Sequence, residues 1–189
     1  MIPRPVARQR PCSRIAECAL GFAAASALLS ADAGASEIAA AAGHGDAVRV
    51  VSIAARTREW IHGGRADHWR WTVSGEWQLS KWSSDHRREG VGSLVDGSLT
   101  AVLALRHAEW NAAYLEAGFG LHLLSEDTIG DDRDLGWLFQ FGEFVGAGFN
   151  FGARSQYGVG IRLQHVSNGS LKPPNDGLTF VQGVLRYRF

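Results

Sequence analysis

Cysteine is all but missing from this chain. Cys12 and Cys18 are the two in 189 residues, and both lie in the N-terminal segment, so the part beyond it is expected to hold neither disulfide nor thiol chemistry. An excess of charge of one sign is missing too: 19 Lys and Arg balance 19 Asp and Glu, which excludes the basic surface of a nucleic-acid binder. Past the N-terminal segment no apolar run is long enough for a membrane helix, so any crossing of a bilayer has to be made by strands. Metal-ligand spacing is also lacking. His44, His62, His68, His86, His107 and His122 stand in no such pattern with Cys, Asp or Glu, so neither a catalytic metal nor another cofactor is expected. Asp127, Asp131, Asp132 and Asp134 lack the order of a calcium loop and read as a solvated connection.

What is present begins with a leader. Arg4, Arg8, Arg10 and Arg14 run into an apolar stretch from Ile15 to Ser30, followed by Ala33-Gly34-Ala35. This is the charged, apolar and small-residue order of a secretory signal peptide, assigned to 1–35. The remaining 36–189 suffices for one domain. Without the leader's four arginines, Glu17 and Asp32, its net charge is −2.

From Ser36 onward apolar residues recur with period two, the signature of strands. Trp69, Trp71, Val73, Trp77 and Leu79 alternate with Arg70, Thr72, Ser74, Glu76 and Gln78. The same alternation runs through Leu99–Leu105, Ala113–Leu123, Leu135–Phe151 and Val181–Phe189. The polar faces carry Arg70, Glu76, Arg106, Glu116, Arg162, Arg186 and Arg188 among glycines. Such a face suits the interior of a small barrel, where charges pair, and leaves the apolar face to lipid. The predicted fold is therefore all-β: an eight-stranded antiparallel transmembrane barrel of the outer membrane, with strands near 36–43, 46–58, 66–82, 96–107, 110–124, 135–152, 154–167 and 177–189. Long connections at 83–95, 125–134 and 168–176 are expected on the outside, and tight turns near 108 and 153 in the periplasm.

An eight-stranded barrel is filled by its own side chains, which argues against transport and directs attention to its outer surface. On the strand ending at Ser167, the outward face reads Tyr157, Val159, Ile161, Leu163, His165, Ser167. An imidazole and a hydroxyl two residues apart on one face can share a hydrogen bond, as a nucleophile and its general base do. Facing lipid at the outer leaflet, they would act on an ester in that plane, with Asn168 and the N–H groups of Gly169 and Ser170 as oxyanion donors. Glu143, on the outward face of the preceding strand, Thr179 and Asp176 are the candidates to orient His165. Asn175-Asp176-Gly177 reads first as a turn.

His165-x-Ser167-Asn168, followed by Lys172, Pro174, Asn175, Asp176 and Gly177 and preceded by the strand with Gly146-Ala147-Gly148, resembles the lipid A 3-O-deacylase family of the outer membrane. The resemblance extends over the mature chain. It implies an outer-membrane barrel whose lipid-facing Ser, His and Glu remove the acyl chain esterified at the 3-position of lipid A, with Ser167 as nucleophile and His165 as base. The family's glutamate falls on Thr179, where this sequence departs from the pattern. Lipopolysaccharide and membrane lipids are the implied partners; a homodimer is compatible with the residues but not compelled by them. The alternatives are a non-enzymatic structural or adhesive barrel and a phospholipid acyl-esterase on the same scaffold.

Overall fold

The computed structural model describes residues 35–85, 90–110 and 112–189. The expected leader lies outside them except for Ala35, which opens the first strand. Eight long strands follow: β1 Ala35–Gly45, β2 Val48–Thr57, β3 Trp69–Ser84, β4 Ser93–His107, β5 Ala113–Leu124, β6 Phe139–Phe151, β7 Tyr157–Ser167 and β8 Leu178–Arg188. Each pairs antiparallel with its neighbour in sequence, and β1 pairs with β8, from Glu37↔Arg188 to His44↔Val181. The sheet thus closes on itself. Closure leaves none of the barrel's backbone ladders unpaired, the condition for crossing a bilayer with strands.

Period-two alternation becomes the two sides of the wall. On β7, Ile161 is 59 % exposed while its neighbour Arg162 is 3 % exposed, so apolar side chains face out and charges face in. The interior is layered. At the end carrying the turn 46–47 and the loops 125–138 and 168–177, Trp82 and Phe180 meet edge to face at 5.0 Å within an apolar plug that includes Leu94, Leu124, Val166 and Leu178. Beneath it lies a buried polar layer, with His122 Nδ1 3.0 Å from the Asp96 carboxylate and Gln182 donating to Gln164.

The remaining half is a charged network. Arg162 reaches Glu76 at 2.9 Å and Glu116 at 3.4 Å; Arg56 reaches Glu116 at 3.2 Å; Arg186 is bound to Glu116 and lies 3.4 Å from Glu37. Three arginines face three glutamates, which keeps the buried charge near neutral, as burial of ions demands. The Arg162 guanidinium also lies 3.7 Å over the Phe144 ring.

Aromatic rings mark both ends of the outer surface. Trp69 and Trp110 stand 5.0 Å apart near one end, where Phe151, Tyr157, Tyr187 and Phe189 continue the belt. Trp137, Phe139, Phe141 and Phe119 form a string at the loop end. Two such belts are the pattern of a membrane-spanning barrel wall.

The expected rhythm of long and tight connections fails twice. The β1–β2 turn at the loop end has two residues, Asp46 and Ala47, both with positive φ (51° and 59°), which matches the twist of a tight hairpin. At the other end, the β2–β3 connection is long, and Ile61–Gly64 folds back to pair with the start of β3. Within the loop after β5, Thr128–Ile129 and Arg133–Asp134 form a small hairpin of their own. Strand ends shift accordingly: β6 begins at Phe139 and β7 at Tyr157, later than alternation alone suggests. Leu135 leaves the outer surface to cap the plug, fully buried.

Candidate active site

His165 and Ser167 lie at the loop end of β7, half-buried on its outward face. Ser167 stands directly across from Phe141 of the aromatic string, so the hydroxyl sits at the depth where a bilayer passes from hydrocarbon to headgroup. His165 has one neighbour on each side in register: Glu143 on β6 and Thr179 on β8. The pairing makes Glu143 a direct cross-strand partner of His165.

Of the two, Thr179 holds the ring. His165 Nδ1 is 2.9 Å from Thr179 Oγ1, an ordinary hydrogen-bond distance. With Nδ1 as donor, the ring is a tautomer whose Nε2 carries the free lone pair. Glu143 is exposed beside the ring.

Nε2 and the serine border the same space, and Gly177 keeps it open. A Cβ on Gly177 would lie 3.0 Å from His165 Cε1, 3.3 Å from Nε2 and 3.4 Å from Ser167 Cβ, and Gly177 itself has φ +57°. Only glycine combines that backbone with that clearance. Read from the sequence, Gly177 was part of a turn; its place against both reacting side chains becomes visible only when β7 and β8 are paired.

Asn168 is placed differently from the sequence expectation. It is fully buried, and its amide nitrogen is shared among the carbonyls of Leu135 (2.9 Å), Lys172 (2.6 Å) and Pro174 (3.2 Å). Its backbone N–H goes to Asn175 Oδ1 at 2.9 Å. This side chain staples the loop 168–177 to the loop 125–138 and is turned away from the reacting face. The next two residues, Gly169 (φ +64°) and Ser170 (φ +61°), form a turn closed by the Leu171 N–H on the Asn168 carbonyl, 3.2 Å. Their own N–H groups are not part of that closure.

Asp176 is likewise part of the loop scaffold. Its carboxylate accepts the Asp134 N–H at 2.8 Å, and its N–H donates to the Asp134 carbonyl at 3.2 Å. A residue without any local sequence signal completes the surroundings. Asp46, in the β1–β2 turn, accepts the Thr179 N–H at 2.7 Å across a separation of 133 residues, setting a carboxylate behind the threonine. Lys172 is exposed on the loop surface. Among the described residues, no three of His, Cys, Asp and Glu gather into a group able to hold a metal ion.

Lower on the same wall, between β5, β6 and β7, an outward groove of about 620 Å³ runs past Leu115, Ala147, Phe149, Val159 and Ile161. Trp110 and Ala113 also line it, so this groove belongs to the half of the wall away from His165 and Ser167.

Comparison with known proteins bears on the fold and the family. Among solved structures, the crystal structure of the outer membrane enzyme PagL superposes with a TM-score of 0.71 at 24 % identity, covering 81 % of this chain and 99 % of that one. Neisserial surface protein A follows with a TM-score of 0.51 at 12 % identity, over 82 % of this chain and 94 % of that one; at these identities the likeness is one of fold. Lipid A deacylase PagL of Bordetella bronchiseptica is 32 % identical over 133 residues, 69 % of this chain and 70 % of its own. The protein of the same name from Pseudomonas aeruginosa is 43 % identical over 65 residues, 34 % of this chain and 36 % of its own. Residues 51–188 match the family described as lipid A 3-O-deacylase (PagL), and the chain belongs to that family.

Proposed function

We propose that this barrel is a serine esterase of the outer membrane that hydrolyses the 3-position acyl ester of lipid A. The observation that carries the reading is the lipid-facing Ser167–His165–Thr179 row, at headgroup depth, in a chain of the lipid A 3-O-deacylase family. In the proposed orientation the loop end faces outward, so the row lies in the outer leaflet.

His165 Nε2 takes the Ser167 proton as the hydroxyl oxygen attacks the ester carbonyl. The imidazolium then returns that proton to the departing sugar oxygen, leaving the acyl group on Ser167. Water, deprotonated by the same nitrogen, attacks the acyl carbonyl, and the imidazolium returns the proton to the departing Ser167 oxygen as the 3-hydroxy fatty acid is released. The backbone N–H groups of Gly169 and Ser170 are the donors assigned to the oxyanion, because the Asn168 amide is occupied by three carbonyls.

Thr179 fixes the tautomer without supplying charge. Glu143, across the strand from His165, and Asp46, behind Thr179, are the carboxylates that oppose the imidazolium. All these groups come from one barrel, so the reading draws nothing from a second copy.

The test is mass spectrometry of lipid A and phospholipids from cells producing the wild type or Ser167→Ala. Loss of one 3-hydroxyacyl group from lipid A with the wild type alone is the expected result. Unchanged lipid A with a folded barrel in the membrane overturns the reading, and acyl loss from phospholipids instead moves the substrate to that class.

A further inference from the structure

We infer that the mouth of the barrel at the end away from the active site is an anion-binding site that takes a phosphate group. A polar cavity of about 460 Å³ opens there, with Arg56, Arg58, Arg106 and Arg188 against Glu37 and Glu59 as its charged lining. That is ample for a tetrahedral oxyanion with several waters, each of which occupies about 30 Å³.

The carboxylates present are already engaged. Glu37 meets Arg188 at 3.0 Å, Arg186 at 3.4 Å and Arg56 at 3.8 Å. Glu59 meets Arg70 at 3.3 Å. Deeper in the barrel, Glu76 and Glu116 are held by Arg56, Arg162 and Arg186. Arg58 and Arg106 are left with no carboxylate at ion-pair distance among the described residues, although Arg106 is half-buried.

The strand register sharpens the point. Arg70 and Arg106 are direct cross-strand partners on β3 and β4, an arrangement in which like charges oppose each other and destabilise the pair. Arg70 has Glu59 as its partner and does not line the cavity, so Arg106 carries the unmatched charge of the pair, and an oxyanion in the cavity beside it offsets that repulsion. Guanidinium forks match phosphate oxygens two at a time; Arg58 and Arg106 line the cavity with forks that no carboxylate among the described residues holds, while Arg188 shares its own with Glu37. The further carboxylates at this end, Asp67 and Glu109, stand outside the cavity beside Arg65 at 3.0 Å and His107 at 3.9 Å. With the active site facing outward, this mouth opens to the periplasm, where the phosphate is either free inorganic phosphate or the headgroup of an inner-leaflet phospholipid.

The experiment uses the folded full barrel in zwitterionic detergent. Inorganic phosphate replaces chloride at constant ionic strength, while phosphorus NMR line widths and the thermal unfolding midpoint are followed. A saturable rise of the midpoint with line broadening is expected, weakened about tenfold or more in Arg106→Gln, the loss of one charge-assisted hydrogen bond. Lys81→Gln, on the outward surface at the opposite end, should bind phosphate as the wild type does. A second arm compares bilayer discs of phosphatidylcholine with discs containing phosphatidylglycerol. Arginine-dependent stabilisation confined to the latter, and competed away by free phosphate, assigns the site to a headgroup; equal phosphate binding in both assigns it to the free ion. Arg58→Gln, changing an exposed residue, serves if Arg106→Gln does not fold. No saturable effect in either arm, or undiminished binding in the arginine variants, overturns the inference.

Discussion

Replacing Thr179 tests how His165 is held, and two substitutions should move the rate in opposite directions. Thr179→Val keeps the volume of the side chain but removes the oxygen 2.9 Å from His165 Nδ1. A neutral hydrogen bond of this kind contributes on the order of 1 kcal/mol. Its loss frees the ring to rotate or change tautomer, so kcat should fall about five- to tenfold. Thr179→Glu puts a carboxylate at the same register position. A charge-assisted bond is worth about twice a neutral one, and it strengthens as the imidazolium forms, so kcat should rise about 5- to 30-fold. The effect stays below the ~10⁴-fold worth of a triad carboxylate if Glu143 and Asp46 already supply part of that charge. The assay is the initial rate of 3-hydroxy fatty acid release from purified lipid A by the folded barrel in detergent. An unchanged rate in Thr179→Val would refute the positioning role. If Glu143→Gln then lowered kcat about a hundredfold or more, Glu143 rather than Thr179 would be the group that orients and charges His165.

Three further outcomes follow from the same structure. Gly177→Ala should cost about 1–2 kcal/mol from its left-handed backbone and, by pressing on His165 and Ser167, lower kcat more than it raises KM in the same release assay. Asn168→Ala removes the donor shared by three loop carbonyls, and leaving such acceptors unmatched costs about 1–3 kcal/mol; hydrogen exchange should quicken in the loops 125–138 and 168–177 while the strands stay protected. Arg162→Met removes one of the two buried cations, Arg162 and Arg56, that Glu76 and Glu116 share, a loss of about 3–5 kcal/mol that should appear as a lower midpoint in denaturant unfolding.

The alternation of apolar and polar residues determined much of this protein by itself. Because side chains on a strand change face at every residue, the run Ile161-Arg162-Leu163-Gln164-His165 states locally that an arginine goes inward and a histidine outward. The charged inner face then implies a filled barrel, and the His165–Ser167 pair is legible because both members lie on one strand. What the sequence left open was every relation between strands. Glu143 and Thr179, with Asp176 as a third candidate in the loop, were all open as partners of His165, and the choice depended on register, which is set by turns and pairings along the whole wall. The register brought Thr179 and Glu143 to either side of the ring and sent Asp176 to Asp134. Loop closure decided the rest: it turned Asn168 inward against Leu135, 33 residues away, and carried Asp46 to Thr179. Such contacts leave no periodic trace, since their cost and gain arise only when distant segments are fixed together.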